Sequence, residues 1–176
     1  MIREAAEFAE RAHEGVYRKG TKIPYITHPM ETAAIVTAFT DEPEMIAAAL
    51  LHDVIEDAGV TKEELEEKFG SRVAFLVESE SEDKSRSWME RKGTTVEHLK
   101  SATRDEKILA LADKLSNIRS TVRDYLVLGD EVWQRFNQKD KEMQGWYYKG
   151  VAEALKEFKG HIYYEEYLML CKKIFG

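Results

Sequence analysis

One histidine and three acidic residues stand within six positions of one another in the stretch ALLHDVIEDAG, residues 49–59. They are His52, Asp53, Glu56 and Asp57. Because a helix turns by about 100° per residue, their side chains fall within an arc of about 140°, opposite the apolar residues of the stretch. The ordinary interpretation of such an arc is a solvated polar face.

This arc, however, contains no lysine or arginine. Ion pairs between residues one helical turn apart therefore cannot balance its charge. Carboxylates crowded around an imidazole repel one another, and a bound divalent cation would offset that repulsion. The composition of the arc therefore indicates a metal site.

Two residues elsewhere in the chain could complete such a site. His28 lies in PYITHPMETA at the start of a predicted helix, where a lone histidine usually caps or packs. Asp113 lies among apolar residues in KILALADKLSNIRS, where it could instead accept a buried hydrogen bond from a nearby helix end. Jointly these two residues and the HD pair offer two imidazoles and two carboxylates. That set suits Mn²⁺ or Fe²⁺, with Zn²⁺ as a further alternative.

Composition limits the class of partner. The 176 residues include 33 acidic and 26 basic ones, and the net charge of −7 argues against a nucleic-acid binder, which usually has a basic face. A small anionic substrate in a local basic pocket remains compatible with that charge. No apolar run is long enough to cross a membrane, and the N-terminus lacks the apolar region of a signal peptide. The single cysteine, Cys171, allows no intramolecular disulfide and fits a reducing cytoplasm.

The elements that position these residues are all predicted to be helices, because apolar residues recur at helical spacing and no alternating strand pattern occurs. With 43% apolar residues and only 3 prolines, the chain is expected to form one all-α domain. Residues 14–29 are predicted to be an ordered loop and residues 79–95 a long polar loop. Helices are predicted at about 2–13, 29–40, 43–57, 61–69, 71–78, 104–128, 130–158 and 162–174.

Four stretches together resemble the HD superfamily of metal-dependent phosphohydrolases. They lie within about residues 13–123 and read RKGTKIPYITHP, AALLHDVIEDAG, EDKSRSWMERK and LALADKLSNIRS. More narrowly, they look like the hydrolase domain of RelA/SpoT-type stringent-response enzymes, and most closely like the stand-alone small alarmone (ppGpp) hydrolases. HDVIED followed by ADKLSNIR is far more specific than an HD pair alone. The resemblance implies an HD-domain helical bundle, a single domain over residues 1–176, with C-terminal helices in 130–176 packed on the motif-bearing part.

The resemblance also implies roles for individual residues. The metal ligands would be His28, His52, Asp53 and Asp113. Glu56 and Asp57 match the acidic pair that positions or deprotonates the attacking water, so they are the expected catalytic residues. The expected substrate-binding residues are Arg18, Lys19, Asn117 and Ser120.

Two features of the chain depart from the pattern of these enzymes. Ser120 stands where threonine is usual, and the substitution keeps the hydroxyl. The loop RKGTKIPY is one residue longer than the usual spacing. A solvated loop arginine is the competing interpretation of Arg18, whose planar guanidinium could otherwise stack on a purine.

The implied activity is Mn²⁺-dependent removal of the 3′-pyrophosphate from ppGpp, giving GDP and pyrophosphate in the cytoplasm. One alternative keeps the HD chemistry but changes the substrate to another nucleotide, such as a 5′-nucleotide or a phosphorylated dinucleotide. A second alternative is a non-enzymatic module that binds a metal or an alarmone. Neither a nucleic acid nor a membrane is an expected partner.

Overall fold

The computed structural model describes residues 1–176 and is helical throughout. Apart from an isolated antiparallel bridge between Tyr17 and Pro24, it contains no β-structure. Two 3₁₀ helices span Gly129–Arg135 and Lys156–Phe158. The ten α-helices, α1 to α10, span Ile2–Ala12, Thr27–Val36, Pro43–Leu51, Val54–Ala58, Lys62–Phe69, Ser71–Glu80, Trp88–Ser101, Arg104–Leu128, Lys141–Ala154 and Ile162–Phe175. The all-α prediction is confirmed, and none of the helices is both long and apolar enough to cross a membrane.

The residues form two compact units. The first unit consists of residues 1–82 and 103–113, and the second of residues 83–102 and 114–176. The long helix α8 contributes its first ten residues to the first unit and the remainder to the second.

In the first unit, α3 packs against α1, α2 and α6. Met45 and residues 47–51 of α3 are all buried. A helix that is apolar all round belongs in the interior of a domain, and the alanines among these residues let neighbouring helices approach its backbone closely. The central helix of this unit therefore ends directly at His52.

The predicted helix over 43–57 is interrupted, which corrects the sequence-based boundary. It begins at Pro43 as expected, but α3 ends at Leu51 and α4 begins at Val54. His52 and Asp53 occupy the turn between the two helices. Gly59 then ends α4 with a positive φ of 67°, as the sequence predicted.

In the second unit, α9 packs against α7 and α10 through aromatic side chains. The ring of Tyr148 lies 5.5 Å from that of Phe175 and 6.1 Å from that of Tyr167. Gly145 of α9 also faces Phe175, and a Cβ atom there would lie 3.1 Å from the Phe175 ring, so a larger residue would require that ring to shift. Rings of this size bury a large apolar area per residue, so a few of them fill the core.

Two predicted boundaries in the second unit are wrong. The loop predicted over 79–95 becomes helix from Trp88, because Ser87 and Glu90 form a capping box and the charged residues that follow favour helix. The helix predicted over 130–158 begins instead as a 3₁₀ helix, and α9 starts only after Asp140. The Asp140 carboxylate accepts hydrogen bonds from the backbone N–H groups of Glu142 and Met143, which fixes the new start.

The remaining differences are smaller. Helix α2 covers Thr27–Val36 rather than 29–40. Pro29 is tolerated in its first turn because the first N–H groups of a helix have no intrahelical partner. The capping box predicted for Thr61 and Glu64 is present at the start of α5.

Candidate metal centre and active site

The break between α3 and α4 orients the His52 imidazole. Its Nδ1 lies 2.8 Å from the carbonyl oxygen of Ala49, one turn back in α3. A carbonyl oxygen only accepts hydrogen bonds, so Nδ1 carries a proton and donates it. In the neutral ring, Nε2 then presents its lone pair, which is the tautomer that a metal-binding histidine requires.

Donor atoms from three separate segments converge on this Nε2. The Nε2 atom of His28, in the first turn of α2, lies 3.1 Å from it. Asp53 Oδ2 lies 2.9 Å from it, and Asp113 Oδ1 of α8 lies 3.5 Å from it. Asp113 Oδ1 also lies 3.0 Å from His28 Nε2. The four residues predicted as metal ligands are therefore brought together within the first unit.

The nature and burial of these groups fit a divalent cation. His28, His52 and Asp113 are only 1–5% exposed, and their donor atoms all lie within 4.8 Å of one another. Two imidazole nitrogens and carboxylate oxygens buried at one point are costly unless a shared proton or a cation satisfies them. Imidazole together with carboxylate is a ligand set for divalent transition metals. His28, His52 and Asp113 thus form a buried candidate metal site, and the partly exposed Asp53 lies beside it.

The imidazole of His52 and the carboxylate of Asp53 stabilise each other's charged form. Burial by itself lowers the pKa of His52, but the charge of Asp53 and hydrogen bonds with Asp113 and Asp53 outweigh burial, so this pKa lies well above its ordinary value. Burial likewise raises the pKa of Asp53, but the charge of His52 and hydrogen bonds from both histidines outweigh it, and this pKa lies well below its ordinary range. Asp53 is therefore ionised near neutral pH, the form in which carboxylates bind metals, and a cation bound at His52 Nε2 would displace the proton that the raised pKa keeps on this ring.

Asp53 has a further partner that the sequence analysis missed. The hydroxyl of Tyr25, in the loop before α2, donates a hydrogen bond of 2.6 Å to Asp53 Oδ2. Burial first, and then the charge of Asp53, raise the pKa of Tyr25 above its ordinary value, so the phenol stays protonated. Tyr25 stands three positions before His28 in PYITHP, but nothing in that spacing reveals a contact with a residue 28 positions away.

The two predicted catalytic acids differ in their surroundings. Glu56 lies in α4 and is partly buried, and its Oε1 accepts a hydrogen bond of 2.6 Å from the backbone N–H of Glu82, just beyond α6. Asp57, the next residue, is exposed. The Glu82 amide was not predicted to matter, because main-chain donors carry no signal in the sequence. It holds the Glu56 carboxylate in one orientation.

The predicted nucleotide-binding residues of the first unit lie in the loop between α1 and α2. The N–H of Arg18 donates to the carbonyl of Ile23 at 2.9 Å, and the N–H of Thr21 donates to the carbonyl of Arg18, which closes a tight turn. The guanidinium carbon of Arg18 lies 5.6 Å from the centre of the Tyr25 ring, a cation–π contact. Lys19 at the tip of this turn is exposed.

Asn117 and Ser120 follow Asp113 on the same helix, α8, and belong to the second unit. Both are partly exposed. The carbonyl of Asn117 accepts a hydrogen bond of 3.0 Å from the Thr121 hydroxyl, and Ser120 Oγ accepts one of 3.3 Å from Arg123. Their substrate-binding role stays a prediction.

Comparison with known families agrees with this geometry. The sequence model of the HD domain family matches residues 5–139, which is more than half of the chain. The chain belongs to the HD domain family. Its buried His28, His52 and Asp113 are typical of the candidate metal sites of HD domains.

Individual relatives are similar over most of their length. Guanosine-3′,5′-bis(diphosphate) 3′-pyrophosphohydrolase MESH1 of Xenopus tropicalis is 37% identical over 164 residues, covering 91% of this chain and 86% of that protein. One solved structure is that of a metazoan ortholog of SpoT, which hydrolyses ppGpp and plays a role in starvation responses. It superimposes with a TM-score of 0.82 at 27% identity, covering 98% of this chain and 94% of that one. The structure of lmo0812 from Listeria monocytogenes EGD-e superimposes with a TM-score of 0.77 at 34% identity, covering 84% of this chain and 98% of that one. The expected HD-domain fold is confirmed.

Proposed function

We propose that this HD protein is a metal-dependent hydrolase that removes the 3′-pyrophosphate from ppGpp, leaving GDP and pyrophosphate. The observation that carries the proposal is the convergence of two buried imidazoles and two carboxylates beside an acidic pair. The named activity of the MESH1 relative, at 37% identity over 91% of the chain, supports the choice of substrate. A small anionic nucleotide is thus the proposed partner, and the cytoplasm, which suits the single buried cysteine, the proposed compartment.

His28, His52, Asp53 and Asp113 are the residues that would hold the cation, and Mn²⁺ is the one we propose for this mixed set of nitrogen and oxygen donors. Bound there, the cation would lower the pKa of water and neutralise charge on the diphosphate. Asp53 and Asp113 come from different segments, so the site forms only when the first unit is folded.

Glu56 and Asp57 are the proposed acid–base residues. The attacking water forms a bond to phosphorus and the bond to the ribose 3′ oxygen breaks, so one proton leaves the water and one reaches the 3′ oxygen. Glu56 is suited to take the first of these protons, because the Glu82 amide fixes its carboxylate. A positioned carboxylate typically contributes about 10²–10⁴-fold to the rate.

Arg18, Lys19, Asn117 and Ser120 are the proposed contacts of the nucleotide. Arg18 offers a planar guanidinium for stacking on a purine, and Lys19 offers an exposed positive charge. Asn117 and Ser120 offer an amide and a hydroxyl for the ribose and phosphate region.

The deciding experiment measures pyrophosphate released from ppGpp by the purified protein with Mn²⁺, Fe²⁺ or Zn²⁺. We expect activity in the wild type, none detectable in His52→Ala, and a reduction of about 10²-fold or more in Glu56→Gln. Glu67→Gln, at an exposed glutamate of α5, is the matched control and should retain full activity. An absence of turnover with every metal contradicts the proposal.

A nucleotide panel separates the remaining alternatives. If the protein releases inorganic phosphate from 5′-nucleotides and does not hydrolyse ppGpp, it is an HD phosphohydrolase with a different substrate. Tight binding of ppGpp without hydrolysis would instead indicate a regulatory module.

A further inference from the structure

Tyr25 lies in the loop between α1 and α2, which also carries Arg18, and its side chain contacts both Arg18 and the carboxylate of Asp53. Its hydroxyl donates to Asp53 Oδ2 at 2.6 Å. That same oxygen lies 2.9 Å from His52 Nε2 and 3.5 Å from His28 Nε2. A short hydrogen bond from a hydroxyl to an ionised carboxylate is among the stronger ones in proteins, so it restricts rotation of the Asp53 side chain.

The position of the Tyr25 ring is itself fixed by its neighbours. The His28 ring meets it edge-on, with centres 5.8 Å apart, and the His13 ring lies 4.8 Å away. His13 is buried, and its Nδ1 donates to the carbonyl of Ala9 in the last turn of α1 at 2.9 Å. The ring of Tyr25 is therefore held between α1 and α2, and its hydroxyl has little freedom to leave Asp53.

The same ring also contacts Arg18, a proposed nucleotide-binding residue of the same loop. The Arg18 guanidinium carbon lies 5.6 Å from the ring centre, within the range of a cation–π interaction. The Tyr25 side chain thus contacts Asp53, a proposed metal ligand, through its hydroxyl, and Arg18, a proposed nucleotide-binding residue, through its ring.

Two buried tyrosine hydroxyls of the second unit have acceptors of a different kind. Tyr164 and Tyr167 of the second unit donate to the backbone carbonyls of Ala152 and Tyr148, at 2.8 and 2.9 Å. Those bonds join α10 to α9 and involve no ionised group. The hydroxyl of Tyr25 differs because its acceptor is a carboxylate at the candidate metal site.

We propose that Tyr25 is a positioning residue that holds the Asp53 carboxylate for the metal through its hydroxyl and supports Arg18 through its ring. The part of the inference that concerns Arg18 rests on the proposed function. The part that concerns Asp53 can be tested by metal binding alone, without any nucleotide. Outer-sphere partners of metal ligands typically change metal affinity by about 10–100-fold when they are removed.

The first experiment titrates metal-free protein with Mn²⁺, following the free ion by electron paramagnetic resonance. Tyr25→Phe keeps the ring and removes the hydroxyl, so we expect the Kd for Mn²⁺ to rise about 10–100-fold. Tyr164→Phe is the matched control, since it also removes one buried hydroxyl bond, and its Kd should equal that of the wild type. An unchanged Kd in Tyr25→Phe, or an equal rise in both variants, overturns the proposal.

A second variant distinguishes positioning of Asp53 from a general loosening of the fold. In an Asp53→Ala background, the side chain that accepts the Tyr25 hydrogen bond is gone, so adding Tyr25→Phe should change the Kd for Mn²⁺ by less than about twofold. A further rise of tenfold or more in the double variant means that the hydroxyl acts elsewhere, and the proposal fails. Circular dichroism on each metal-free variant verifies that the helices remain.

The nucleotide half is tested by kinetics at saturating Mn²⁺. Tyr25→Phe should leave the KM for ppGpp within about twofold, whereas Tyr25→Leu, which removes the ring, should raise it about two- to fivefold. The KM increases caused by Tyr25→Leu and Arg18→Ala should be less than multiplicative in the double variant, because the two changes remove one contact. Fully multiplicative increases overturn this half. If the wild type binds Mn²⁺ but does not hydrolyse ppGpp, the proposed function fails while the Mn²⁺ titrations still test the Asp53 contact.

Discussion

The first unit buries two imidazoles and a carboxylate against one another, whereas the second unit buries aromatic rings against aromatic rings. In the first, His28, His52 and Asp113 stand within reach of a single ion. In the second, Tyr148 packs against Tyr167 and Phe175. The polar cluster is stable only when its charges are balanced, while the aromatic rings carry no charge that has to be balanced.

This difference indicates how each unit responds to change. Substitutions in the polar cluster should alter metal binding and activity, and those in the aromatic cluster should alter stability alone. The predictions below test that division, from the largest expected effect to the smallest.

Among these comparisons of the two units, the largest effect is expected from Asp113→Asn. The substitution removes one negative charge from the candidate metal site, so kcat/KM for ppGpp at a fixed Mn²⁺ concentration should fall on the order of 10³-fold. Asp140→Ala in the second unit is the comparison, because it removes the cap of α9 and should leave kcat/KM unchanged. Equal losses of activity in the two variants would remove the distinction between the units.

Truncation of the aromatic cluster should act on stability. Trp133 is buried against Phe175 and Tyr125, with ring centres 5.6 and 6.1 Å away. Trp133→Ala should lower the free energy of unfolding by about 3–5 kcal/mol, measured with urea, because it leaves a cavity and exposes apolar surface. The Kd for Mn²⁺ of the folded variant should match the wild type, and a tenfold weaker Kd would contradict the division.

Metal removal should affect the two units unequally. Mn²⁺ at about 100 times its Kd should stabilise the folded protein by about 2.7 kcal/mol, and a chelator should reverse this. Hydrogen exchange locates the effect, since added protection is expected first in the amides of α2, α3 and α4, which carry or flank His28, His52 and Asp53. His28→Ala should show no added protection, and equal protection of α9 and α10 would argue against a site confined to the first unit.

The smallest effects are expected for the capping boxes, a feature that both units share. Thr61 caps α5 in the first unit, and Ser87 caps α7 in the second, each in a capping box with a glutamate three positions on. Thr61→Ala and Ser87→Ala should each lower the free energy of unfolding by about 1 kcal/mol, measured by thermal unfolding. Because neither cap contacts the proposed ligands, both variants should keep the wild-type Kd for Mn²⁺.

Much of the helical architecture could be predicted from local patterns. The start of α3 at Pro43, the capping box at Thr61 and the end of α4 at Gly59 follow from backbone chemistry within a few residues. The boundaries of α8 also agree with the prediction. The loop predicted over 79–95 is wrong from Trp88 onward, because the Ser87–Glu90 capping box begins a helix within that charged segment. The organisation of residues 1–176 as one domain, with the C-terminal helices packed on the motif-bearing part, stays a prediction.

For the candidate site, the residue types indicated a cation, and the family resemblance named four residues as its ligands, which the structure brings together. An arc of carboxylates and an imidazole without a basic partner indicated a cation. His28 and Asp113 added a second imidazole and a further carboxylate to the HD pair. The break between α3 and α4 was not predictable, because the apolar pattern continues across it. At this break, His52 and Asp53 lie beside His28 of α2 and Asp113 of α8, which are distant in the sequence.

The sequence by itself therefore determined the helical class, the HD family motifs and the residues that could bind a metal, because each depends on residue type and local spacing. Only the tertiary structure decided which polar partners those residues have. The Tyr25 hydroxyl reaches Asp53 across 28 positions, and the Glu82 amide reaches Glu56 across 26. Contacts of this kind arise from the packing of helices distant in the chain, and one of them involves a backbone group that every residue except proline possesses.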